Sequence, residues 1–110
     1  MAHHNLTIYR NLGDQVLSGK KDLEVRVGYR GIKRIKPDDS IRFFNTEQSI
    51  TVRAVKVRRY SSFRQMLDHE DHHRIAPEVE EEVLLKRLQA LYPPDRERLG
   101  VYVIEFAKSK

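Results

Sequence analysis

The stretch Gly19-Lys20-Lys21-Asp22-Leu23-Glu24-Val25-Arg26 decides how the chain is read. It opens on a glycine that can end one element and runs on as an alternating segment that begins another. Leu23, Val25 and Val27 are apolar at period two, while Asp22, Glu24 and Arg26 take the other face. A strand of this pattern buries one side and presents a charged row on the other. Lys21, Glu24 and Arg26 then stand close together, just after a turn. Two readings are open: a solvated face tied by cross-strand ion pairs, as most exposed charges are, or a site on a rigid scaffold.

On the N-terminal side, His3 and His4 read as a disordered start and Leu6-Thr7-Ile8-Tyr9 as a short strand. Leu12, Val16 and Leu17 have helical spacing over residues 11–18, with Asn11 as N-cap and Gly19 as the stop. On the C-terminal side, residues 28–37 carry Arg30, Lys33, Arg34 and Lys36 among two glycines and a proline, which reads as an exposed basic loop. Asp38-Asp39 supplies turn chemistry before a strand at residues 41–44. Residues 50–57 alternate with apolar groups on both faces, as a strand crossing between barrel layers does.

Ser62 with Gln65 has capping-box spacing before Phe63, Met66 and Leu67. Pro77 suits a helix's first turn, and Glu78, Glu80, Glu81 and Glu82 complement its dipole. Val79, Val83, Leu84, Leu88 and Leu91 give that helix an apolar face, ended by Pro93-Pro94. Residues 101–106 read as a closing strand. About five strands and three helices imply an α+β fold, a small and mostly antiparallel barrel with helices packed around it.

The 110 residues fit one domain, 1–110, with a single core. Cysteine is absent, which excludes disulfides, thiolate metal sites and cysteine nucleophiles. No apolar run reaches membrane-spanning length and no secretory signal is visible, so a cytoplasmic protein is expected. Charged residues make up 34% of the chain, a composition that resembles a thermophile's and leads us to expect thermostability. Residues 1–59 carry 13 Lys/Arg against 6 Asp/Glu, and residues 60–110 carry 8 against 10. That asymmetry implies one positive face and a phosphate-bearing partner.

His69-Glu70-Asp71-His72-His73 satisfies H-E-x-x-H, a zinc-protease pattern that works only on a continuous helix. Apolar periodicity ends at Leu67 and a proline follows at 77, so no zinc site and no other metal or cofactor is expected. Gly28-Tyr29-Arg30-Gly31 matches an RNA-clamping GXXG loop in shape, but follows a strand rather than joining helices. Lys21 remains as the group with chemical potential. Neighbouring cations can lower a lysine's pKa and make it a base or nucleophile, whereas a carboxylate three residues on can hold it charged.

The order of parts resembles the ASCH family. Gly19, Lys21, Glu24 and Arg26 fit its G-x-K-x-x-E-x-R signature between helix and strand. Asp38-Asp39, Tyr60-Ser61 with Phe63, Leu91-Tyr92-Pro93 and the closing strand follow in the family's order. The resemblance implies a PUA-like β-barrel whose signature residues line a cleft between barrel and helices. It also implies RNA binding or coactivator-type roles, with RNA or a nucleotide as partner. The expected ligand-binding set is Lys20, Lys21, Glu24, Arg26, Arg30, Lys33, Arg34 and Tyr60. One branch of the family is an amidohydrolase that deacylates N4-acetylcytidine with a lysine, a threonine and a glutamate. On that alternative Lys21, Glu24 and Glu78 would be catalytic. Glu24 stands where the branch has threonine, and that departure favours binding over catalysis.

Overall fold

The computed structural model describes residues 1–109. Five strands form one sheet: β1 (His3–Thr7), β2 (Leu23–Val27), β3 (Ser40–Phe44), β4 (Ser49–Tyr60) and β5 (Val101–Lys108). Their spatial order is β1-β3-β4-β5-β2, with β1 parallel to β3 and the other pairings antiparallel. The sheet curls into a half-barrel whose outer strands, β1 and β2, are bridged by the Arg26 side chain rather than paired among the described residues. Among the described residues six helices surround it instead of about three: α1 (Arg10–Leu17), α2 (Arg30–Lys33), α3 (Phe63–His69), α4 (His72–Ile75), α5 (Glu81–Leu91) and α6 (Pro94–Glu97). The three that the sequence hides have only four residues each, too few to show a period.

Both faces of the sheet are covered. Leu23, Val25, Val27, Val101 and Val103 pack against Phe63 and Met66 of α3, Ile75 of α4, and Leu84, Leu85 and Leu88 of α5. On the concave face, Ile41, Phe43, Val52, Ile104 and Phe106 enclose a second core with Val16 of α1 and Ile32 of α2. The Phe43 and Phe106 rings lie 5.3 Å apart, tilted by 60°. Each such side chain removed from water contributes roughly 1.5–3 kcal/mol before ordering costs. The apolar face read for β2 is therefore buried, as are Ile41, Phe43 and Val103.

Several local expectations change. His3 and His4 belong to β1, where pairing with β3 is reinforced by His3 Nδ1 to Ser40 Oγ (3.0 Å) and His4 Nε2 to Asp39 Oδ2 (2.8 Å). The N-cap of α1 is Tyr9, without a side-chain bond. Ser62 does cap α3, accepting from Gln65 N at 3.0 Å, but Gln65 Oε1 returns to Ser61 N rather than to Ser62. Pro77 and Glu78 precede α5, whose first turn holds Glu81 and Glu82. Val83 and Leu91 stay exposed, and Leu85 takes their place in the core.

Strand β4 carries the change that matters most for function. A bulge between Ala54 and Lys56 inserts one residue against β5. Before it, Ile50, Val52 and Ala54 face the concave core; after it, Val57 does. An inserted residue reverses which positions face inward. Lys56 is exposed, and Tyr60 turns to the helix-covered face opposite Val101.

Candidate functional site

Gly19 places Lys21. Its φ of +82° lets the chain reverse at the end of α1, with Gly19 N bonding Val16 O at 3.1 Å. The returning backbone is pinned where Lys21 N donates to Gln15 O at 3.1 Å. Lys21 Nζ then donates to Leu23 O and to Ile75 O, both at 2.7 Å, and lies 3.0 Å from Glu24 Oε1. An ammonium has three N–H groups, and these partners use all of them.

Glu24 and Arg26 sit opposite Ile104 and Tyr102, on the concave side of the half-barrel. Arg26 Nε donates to Glu24 Oε2 at 2.6 Å, and Nη2 reaches across to Thr7 O at 2.6 Å, joining β2 to the end of β1. The solvated reading of this face fails for Lys21 and Glu24, whose side chains are 2% and 8% exposed. Burial pushes the Glu24 carboxyl up, but Lys21 and Arg26 outweigh it and hold it below the ordinary carboxylate range. The trio carries two positive charges against one negative, so a single net positive charge remains at this place.

These residues form one wall of a cleft of about 820 Å³ that straddles the free edge of β2. Both cores contribute to it. Ile8 and Leu12 come from the concave core, and Ile75, Leu84 and Leu88 from the helical side. Tyr9, 70% exposed, and Tyr92 stand among the lining residues. Burial raises the Tyr92 phenol above its ordinary value, so it remains a hydroxyl at neutral pH and can donate a hydrogen bond. A large apolar concavity with a few fixed polar groups is the usual form of a small-molecule or base site.

The sequence-derived set divides. Lys21, Glu24 and Arg26 converge in the cleft wall. Lys20, Arg30, Lys33 and Arg34 are exposed and do not line it; Arg30 and Lys33 lie on α2 rather than in a loop. Glu78 is exposed and lies outside the lining. Tyr60 is also outside it, because the β4 bulge turns its ring to the helical face. There its hydroxyl donates to Glu70, which also receives Arg58 Nε at 2.6 Å and Nη2 at 2.9 Å. Arg58 Nη1 continues to Glu105 at 2.9 Å. Sequence reading missed Tyr9 and the aliphatic wall from α4 and α5. Tyr92 had been noticed only as part of a helix end.

The H-E-x-x-H pattern is broken where α3 ends at His69 and Glu70 turns extended. His69 bonds Gln65 O and Glu70 is held by Arg58, so the two histidines share no helix face. Asp71, His72 and His73 bring ligand-type atoms within 4.8 Å of one another, although Asp71 already caps α4 through His73 N. No helix among the described residues is long and apolar enough to cross a membrane.

Comparison with known proteins agrees with this architecture. The crystal structure of hypothetical protein PH0355 matches with a TM-score of 0.89 at 28% identity, covering 97% of this chain and 99% of that one. The solution NMR structure of protein PF0455 from Pyrococcus furiosus matches with a TM-score of 0.80 at 26% identity, covering 98% of each. No curated protein matches the sequence. Residues 6–110 match the ASCH domain. The chain therefore belongs to the ASCH domain family and has its PUA-like fold.

Proposed function

We propose that this is an RNA- or nucleotide-binding domain in which a base occupies the cleft across the free edge of β2. One observation carries the reading: a mostly apolar cleft of about 820 Å³ has a positively charged Lys21–Glu24–Arg26 cluster in its wall, with Lys21 and Glu24 buried. The aliphatic side chains of α4 and α5 offer a dry surface to a flat ring. Tyr9 offers an aromatic face, and stacking on aromatics is how unpaired bases are commonly held. Glu24 and Arg26 present acceptor and donor groups in fixed positions, suited to a base edge. The exposed Lys20, Arg30, Lys33 and Arg34 act at longer range on phosphates.

The amidohydrolase alternative has less support. Lys21 Nζ already has three partners, whereas a base or nucleophile needs a free lone pair. Glu78 lies outside the cleft as a proton donor would not. The deciding experiment is a paired one, with nucleosides, N4-acetylcytidine and single-stranded RNA as probes. Saturable binding without turnover, weakened by Arg26→Lys, supports the binding domain. Release of acetate from N4-acetylcytidine by the wild-type protein supports the amidohydrolase instead, and a protein that neither binds nor turns over any probe sinks both readings.

A further inference from the structure

A second hollow of about 490 Å³ adjoins the cleft. His3, His4 and Asn5 of β1 line one side of it and Tyr29 the other. Arg26 and Tyr92 line both hollows. The two therefore meet where the Arg26 guanidinium crosses to the Thr7 carbonyl, and together they follow the gap between β1 and β2. Their chemistry differs. The cleft is walled mostly by aliphatic side chains, whereas His3, His4 and Asn5 stand beside Leu6 and Ile32 around the second hollow. Ser40 and Asp39 occupy one ring nitrogen each of His3 and His4, which leaves each ring its other nitrogen.

Tyr29 precedes α2 and is 42% exposed. Its ring is held 6.4 Å from that of Tyr92, with the Arg96 guanidinium 5.9 Å from its centroid. The next turn brings Arg30 and Lys33 to the surface beside it. An exposed aromatic ring beside cations is a platform for a single nucleic-acid strand. A free nucleoside in the cleft would leave this platform unused. A duplex would keep its bases stacked and away from a concave cleft.

We propose that the second hollow is a subsite for the neighbouring nucleotide, so that the ligand is a single RNA strand of two or more residues. One base enters the cleft, the next stacks on Tyr29, and the phosphate between them passes Arg26. The proposal rests on the base-binding reading of the cleft and adds the direction in which the strand leaves it.

The test compares the four ribonucleosides with a mixed-sequence RNA hexamer by titration calorimetry, on the wild type, Tyr29→Ala and Tyr29→Phe. The hexamer is expected to bind the wild type at least tenfold more tightly than any nucleoside. Tyr29→Ala should remove roughly tenfold of hexamer affinity and leave nucleoside affinity unchanged, while Tyr29→Phe keeps both. Equal affinity for hexamer and nucleoside, or equal losses for both in Tyr29→Ala, overturns the second subsite and leaves the cleft reading standing. Binding of neither probe defeats the cleft reading, and the subsite with it.

Discussion

Lys21 Nζ and Glu24 Oε1 lie 3.0 Å apart in a pair that is almost wholly removed from water. An exposed pair of this kind contributes on the order of 0–1 kcal/mol. A buried pair behaves differently, because deleting one partner strands the other. Lys21 also ties the start of β2 to Ile75 at the end of α4, so fold and site depend on the same side chain.

Lys21→Ala should therefore destabilise the protein by about 3–5 kcal/mol, the range for breaking a buried pair. Denaturant unfolding measures it. The Lys21→Ala/Glu24→Ala double variant should lose less than the sum of the two single losses, since the second deletion removes the stranded charge. Additive losses would show that the two groups act independently.

Arg26→Lys should weaken ligand binding by roughly ten- to a hundredfold, the worth of a charge-assisted hydrogen bond of about 1.5–3 kcal/mol. Lysine keeps the charge but cannot serve Glu24 and Thr7 with a planar fork. Arg34→Ala should cause a modest loss that vanishes as salt rises. Affinities of both variants across a salt series, with thermal unfolding as control, separate the two effects.

Tyr9→Ala should leave stability within about 0.5 kcal/mol, because the ring is 70% exposed. If a base stacks there, affinity falls by about 1–3 kcal/mol. Calorimetric titration beside a melting curve reads both quantities. Unchanged affinity would remove Tyr9 from the site.

Glu70→Ala should do the opposite. It leaves Arg58 and Tyr60 without their shared acceptor on the helical face, at a cost of about 1.5–3 kcal/mol. Ligand affinity should hold, since neither Tyr60 nor Glu70 lines the cleft. A selective loss of binding in a fully stable Glu70→Ala protein would return Tyr60 to the site.

Acid should loosen the start of β1. The His4 side chain and the backbone N–H groups of Lys36 and Ala2 hold Asp39 down to about 2. A carboxyl lowered in the folded state adds stability above its unfolded value near 3.9, and that stability is lost as pH falls through the folded value. The melting temperature should fall between about pH 4 and pH 2, and Asp39→Asn should flatten that part of the profile.

The period-two runs at residues 23–27, 41–44 and 101–106 were legible because alternation is a local property of a half-buried strand. Gly19 was legible for a similar reason, since a left-handed turn after a helix strongly favours glycine. The nearness of Lys21, Glu24 and Arg26 followed from those two features. Their burial did not. It depends on Ile75 and Thr7 approaching from distant parts of the chain, which no spacing encodes. The bulge in β4 is decided the same way, by the register against β5, and that one inserted residue carries Tyr60 away from the cleft. Local patterns determined the strands and the charged signature. Long-range packing alone decided which charges lost their water and which rings came to face them.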